Sequence, residues 1–230
     1  MLVLEFQFPA GRYHATPWGR NVNEGEVEWP PSPYRLARAL VDVCHRRRPD
    51  WPDERLAAVL RPLAAPPAFR LPPATASHTR SFLNSNLKDP TAKQKIFDAF
   101  VAVDRRERLL VAFDCHVPED VKTDLGDLLG EMNYLGRSES WVQARVIEST
   151  DGAEFNCGMP GSVKTGDQAE RVRVACLMSE QEYASLPGQP RRKSKYEGKK
   201  ANASQPLSWL DAIRLSTTGL LTDGWSQPPA

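Results

Sequence analysis

The residues best suited to chemistry lie just after the first apolar run, in Gly11-Arg12-Tyr13-His14-Ala15-Thr16-Pro17-Trp18-Gly19-Arg20. Two guanidinium groups, an imidazole and two aromatic rings share this short loop, a combination suited to pairing phosphates and stacking on unpaired bases. With Tyr13 and Trp18 covering one end of a core and the arginines solvated, the same loop needs no ligand. His14 also has the side chain for metal-independent RNA cleavage, in which a neighbouring 2′-hydroxyl attacks and a group titrating near neutrality moves the proton. Such a reaction needs a partner group across the scissile phosphate. His78 is the second candidate for the role.

Further cations follow. Arg35 and Arg38 lie one helical turn apart and share a face on which successive phosphates can be gripped. Ser77-His78-Thr79-Arg80-Ser81-Phe82-Leu83-Asn84, continuing through Lys88, Lys93 and Lys95, reads as a polar, cationic loop that folds as a thumb over a nucleic-acid backbone, or as a plain insertion. Leu135-Gly136-Arg137-Ser138-Glu139-Ser140-Trp141 reads as a glycine turn presenting Arg137 to a phosphate, or as a helix C-cap with Trp141 in the core. The run from Arg191 to Lys200 carries more charge but no aromatic besides Tyr196, which suits a solvated loop. Glu24, Glu26 and Glu28 alternate along one strand face, where solvation outweighs metal binding.

Other chemistries find no support. The chain has no GxxxxGK[ST], GxGxxG or HExxH motif. Its four cysteines, Cys44, Cys115, Cys157 and Cys176, show no CxxC spacing. Neither metal nor cofactor is expected.

The elements that position these residues can be read from periodicity. Leu2, Leu4, Phe6 and Phe8 alternate with other residues as in a half-buried strand ending at Pro9. Ser32-Pro33 caps a helix whose Leu36, Ala37, Leu40, Val41 and Cys44 share a face up to Pro49. Asp53 to Leu60 reads as a short helix and Pro62 to Pro73 as an extended connector. Ile96 to Val103 and Leu109 to Phe113 are expected to form a hairpin. Pro118 opens a helix ended by Gly136, and Trp141 to Ile147 is a final strand. The order is β-α-β-β-α-β over residues 1–148, with an insertion at 62–95, which is the order of the α+β ferredoxin-like fold used by RNA-recognition domains among many others. Residues 149–230 read as an accessory extension: a strand at Arg171 to Met178, a short helix at Ser179 to Leu186, a basic loop at 187–206 and a buried element around Trp209, Leu210 and Ile213.

Composition bounds the partners. The 230 residues carry 30 basic and 29 acidic side chains, a net charge of +1, so a polyanion would have to be held by local patches. Of 20 prolines, 12 fall within the first 73 residues, which points to rigid extended backbone early on. The longest apolar runs are five residues, Ala99 to Val103 among them, too short to cross a bilayer, so no membrane contact is expected. The start lacks a basic leader and long apolar stretch, and a cytoplasmic protein is expected.

Several blocks resemble one family. Met1-Leu2-Val3-Leu4-Glu5-Phe6, Phe8 to Gly19, Asn23-Glu24-Gly25 and Trp29-Pro30-Pro31-Ser32-Pro33-Tyr34-Arg35 are similar to the CRISPR-associated Cas-five/Cas-six fusion proteins of type I-G (formerly I-U) systems. Ser77 to Arg80, Phe97 to Val101, Tyr134 to Trp141 and Asp223 to Pro229 continue the resemblance. It implies a repeat-associated (RAMP) protein whose amino-terminal half holds the five-prime handle of the CRISPR RNA in the Cascade effector and whose carboxy-terminal half processes the precursor. The chain stops where the second half of the fusion would begin, so the RNA-holding module without its nuclease is expected. By this analogy Arg12, His14, Trp18, Arg20, Arg35, Arg38, His78, Arg80 and Arg137 contact the handle. The partners implied are CRISPR RNA, the repeating backbone subunit and the large subunit, with target DNA met only through the complex. The alternative is a metal-independent endoribonuclease acting through His14 or His78.

Overall fold

A computed structural model describes residues 1–20, 24–84, 93–150, 152–163, 169–187 and 207–216, with 220 and 228. The basic run 191–200, Lys88 and the block 223–227 lie outside the described residues. The chain is a mixed α+β fold built on two antiparallel sheets.

The first sheet begins with β1 (Leu2–Gln7). Its Leu2, Leu4 and Phe6 face the main core, while Val3 joins Leu110 and Ala112 in a small cluster on the opposite side. A two-residue strand, β2 (Arg12–Tyr13), follows before helix α1 (Pro33–Arg47). Ser32 caps α1 by accepting from the Arg35 amide at 3.2 Å, and Pro33 takes the first helical position, where no hydrogen bond is lost. Leu36, Ala37, Leu40, Val41, Val43 and Cys44 of α1 are buried. Each large apolar side chain withdrawn from water in this way stabilises the fold by about 1.5–3 kcal/mol.

Helix α2 (Asp53–Leu60), a 3₁₀ turn (Arg61–Ala64) and strand β3 (Pro67–Arg70) come next. The long strands β4 (Ala74–Asn84) and β5 (Lys93–Val103) are followed by β6 (Leu109–Phe113), helix α3 (Glu119–Gly130) and β7 (Gln143–Ile147). Two short helices complete the described elements, α4 (Glu180–Ser185) and α5 (Trp209–Arg214). Sheet order in the core is β3-β6-β1-β7, each neighbouring pair antiparallel. That order is consistent with a ferredoxin-like α+β fold, with α1 and α3 among the elements packed on its Leu2, Leu4 and Phe6 face.

The expected hairpin between Ile96–Val103 and Leu109–Phe113 does not form. All five residues of β6 are buried, so this strand sits centrally, paired with β1 on one side and β3 on the other. The connector expected to be merely extended supplies β3. Strand β5 instead pairs along its whole length with β4, and β2 adds at its other edge to give the second sheet, β2-β5-β4. Residues expected to form a polar loop from 75 onward are therefore strand as far as Asn84.

Other boundaries move as well. Helix α3 ends at Gly130, so Gly136 is not its cap. Trp141 is 61% exposed rather than in the core. Residues Arg171 to Met178 form no strand; the Tyr34 amide at the start of α1 donates to the Ala175 carbonyl at 3.1 Å, and Leu177 is buried in the core. Among the described residues no helix is long and apolar enough to cross a membrane.

Candidate nucleic-acid interface

The hairpin of β4 and β5 has two chemically different faces, fixed by strand alternation and register. At its base, Ala99, Val101 and Val103 are buried against the body, with Tyr13 of β2 opposite Val101. Further out, the same face carries His78, Arg80 and Phe82 of β4 opposite Ala99, Phe97 and Lys95 of β5. The Arg80 guanidinium lies 5.5 Å and the Lys95 ammonium 4.7 Å from the Phe97 ring centre, and Arg80 Nε donates to His78 Nε2 at 3.3 Å. Phe82, one register step beyond, is 63% exposed. Two cations, an imidazole and two aromatic rings thus form a continuous strip.

The opposite face carries Asp98 and Phe100. Arg137 Nη1 donates to Asp98 at 3.0 Å, and Arg12 stacks 5.3 Å from the centre of Phe100. Arg137 belongs to a tight loop locked onto residues 14 and 15. Its amide donates to the His14 carbonyl, Ser140 Oγ accepts from the His14 amide at 2.7 Å, and His14 Nδ1 bonds Glu139 Oε1 at 2.7 Å. Burial pushes the Glu139 carboxyl up, but its own backbone N–H, His14 and Arg137 together hold it below the usual glutamate range. The His14 side chain is only 5% exposed, which makes it a structural tie between two loops. Gly136 has φ +91°, and a Cβ there would stand 2.5 Å from the His14 carbonyl oxygen, so this position has room for no side chain.

A second cluster gathers around the cap of α1. Glu28, 7% exposed, accepts from Tyr13 Oη at 3.2 Å, from the Ser32 amide at 2.9 Å and from Arg35 Nε at 2.8 Å. Arg35 also donates to the Thr16 carbonyl. Burial works against the Arg35 charge, yet the adjacent Glu28 carboxylate raises its pKa overall. Burial, reinforced by Glu28, likewise pushes the Tyr13 phenol well up. The three glutamates expected on one strand face are split instead, for residues 24–28 form no strand: Arg20 pairs with Glu24 and Glu26 while Glu28 turns inward.

Arg38 donates to the carbonyls of Ile213 and Leu215, which ties α1 to α5. Between the 16–20 loop, α1 and Tyr134 lies a cleft of about 340 Å³. Trp18, Arg20, Arg35 and Arg38 of the sequence-predicted set line it, together with Tyr34 and Arg46.

The predicted residues therefore fall into three groups: His78 and Arg80 on the strip, Arg12, His14 and Arg137 around the tight loop, and the four cleft residues. Sequence reasoning missed Phe97, whose value appears only once β4 is paired with β5, and Tyr34 and Glu28, whose roles depend on contacts across the cap. Among the described residues no group of three or more His, Cys, Asp or Glu side chains is placed to hold a metal ion.

No protein-family model matches the sequence, and no curated protein matches it. Among solved structures, a CRISPR protein from Archaeoglobus fulgidus is similar with a TM-score of 0.32 at 12% identity, over 64% of this chain and 63% of that one. The chain thus spans less than two thirds of that protein, and a likeness this low leaves both family and function to be argued from the residues themselves.

Proposed function

We propose that the chain is an RNA-binding subunit of a cytoplasmic type I CRISPR effector complex, holding the five-prime handle of the CRISPR RNA beside the backbone and large subunits. The observation that carries RNA binding is the strip His78, Arg80, Phe82, Lys95 and Phe97 on the outer half of the β4–β5 hairpin. Cations alternating with accessible rings pair with phosphates and stack bases without needing a duplex. The strip continues the face that packs on the body at the hairpin base. The CRISPR assignment rests on the blocks at residues 1–6, 8–19, 29–35 and 134–141 that resemble the type I-G fusion family.

Fluorescence anisotropy with labelled repeat RNA tests this reading. Arg80→Ala and Phe82→Ala should each weaken binding about tenfold, with an unchanged melting temperature because both side chains are exposed. Wild-type affinity in both variants would remove the hairpin from the interface. Incubation of the same RNA in EDTA should leave it intact; cleavage lost on His14→Ala or His78→Ala would establish the nuclease alternative instead.

A further inference from the structure

The cleft beside α1 contains buried polar atoms that lack a hydrogen bond of normal geometry among the described residues. Tyr34 is 3% exposed, and its hydroxyl lies beside the Arg38 guanidinium without a hydrogen bond of normal geometry among the described residues; the buried Nε1 atom of the half-buried Trp18 has none either. The two rings meet edge to face at 5.9 Å, so both are held rigidly. Leaving a buried donor unsatisfied costs about 1–3 kcal/mol, and such groups are rare unless something else satisfies them.

The charges around the pair are unequal. Arg35 is matched by Glu28, Arg46 by Asp42 and Arg20 by Glu24 and Glu26. Arg38 has no carboxylate partner among the described residues. Its Nη1 is committed to the carbonyls of Ile213 and Leu215, and the guanidinium sits 5.9 Å from the centre of the Tyr34 ring, beside the Tyr34 hydroxyl. At the cleft wall, Tyr134 is 38% exposed and offers an aromatic face. Trp18 and Arg20 also line a second, wider cleft, and Arg38 also borders a smaller one beside α5, whereas Tyr34 lines the first.

We infer that this cleft is a subsite for one unstacked nucleotide of single-stranded RNA, its phosphate held by Arg38 and the Tyr34 hydroxyl and its base laid against Tyr134. The inference rests on the RNA-binding reading and adds to it a second contact, lined by residues other than those of the hairpin strip. A volume of about 340 Å³ suits one such unit and no folded ligand. A nucleotide also supplies what the buried groups lack, an anionic acceptor for Arg38 and Tyr34 and further acceptors within reach of Trp18 Nε1.

Tyr34→Phe gives a test that separates ligand binding from folding. Removing an unsatisfied buried hydroxyl should leave the RNA-free melting temperature unchanged or higher, whereas affinity for a short labelled single-stranded RNA should fall about tenfold, the effect of one hydrogen bond to a charged group. Arg38→Gln should weaken binding similarly, and Tyr34→Phe should add nothing to it if both act on one phosphate. Unchanged RNA affinity in Tyr34→Phe and Arg38→Gln, with loss in Arg80→Ala, would overturn the subsite and leave the RNA reading standing. No binding of RNA by the wild-type chain would overturn both. AMP or inorganic phosphate binding as tightly as the RNA, with the same sensitivity to Tyr34→Phe, would overturn the RNA subsite in favour of a free-nucleotide or phosphate site.

Discussion

At the scale of single residues, Glu28 holds three partners at once. One nearly buried carboxylate receives a phenol, a helix-cap amide and a guanidinium, and so it joins β2, the 28–32 segment and α1. Removing it leaves Arg35 buried without a counter-charge and Tyr13 without an acceptor. Glu28→Ala is expected to cost roughly 3–5 kcal/mol, whereas Arg35 and Glu28 removed together should cost less than the two single changes summed. Urea denaturation of the two single variants and the double variant measures both quantities. A Glu28→Ala loss below 1 kcal/mol, by that scale, would mean the pair is solvated in solution.

At the scale of elements, the loop from Glu131 to Val142 acts as a clamp between α3 and β7 and grips residues 14 and 15. Its geometry depends on Gly136, because a methyl group there would collide with backbone rather than with a flexible side chain. Gly136→Ala is expected to destabilise by roughly 2–4 kcal/mol, combining a disfavoured positive φ with the steric shift, and thermal unfolding by circular dichroism reads it. Much of this layer was legible in advance: Ser32-Pro33 marked the start of α1, the period of Leu36, Ala37, Leu40 and Val41 marked its buried face, and strict alternation marked β1. Strand pairing was not legible. Leu109 to Phe113 and Ile96 to Val103 look alike as apolar runs, and only the tertiary arrangement makes one a two-sided central strand and the other half of a hairpin. Because that pairing was hidden, so was the alignment of Arg80 with Phe97 and of Phe82 with Lys95, although four of those five strip residues had been marked for their side chains. Ion-pair partners such as Glu139 for His14 and Asp98 for Arg137 lie 125 and 39 residues away, beyond any local pattern.

For the whole molecule, a net charge of +1 gives no long-range pull on RNA, so affinity must come from local cations, of which Arg12, Arg38, Arg80 and Lys95 on these faces have no carboxylate partner among the described residues. If each meets one phosphate, log affinity should fall with log salt at a slope of about −3 for a single strand. A salt titration of anisotropy reads this directly; a slope steeper than about −5 on the same relation would show that cations beyond these four take part. The sheet order carries a different consequence, for the making of the protein. Strand β1 is translated about a hundred residues or more before its neighbours, residues 109–113 and 143–147. At about 5–20 residues per second it waits roughly 7–30 s before its second flank exists. Throughout that interval one backbone edge of β1 stays open and its Leu2, Leu4 and Phe6 face is incompletely covered, an aggregation-prone state, so β1 needs shelter until residues 143–147 have been translated.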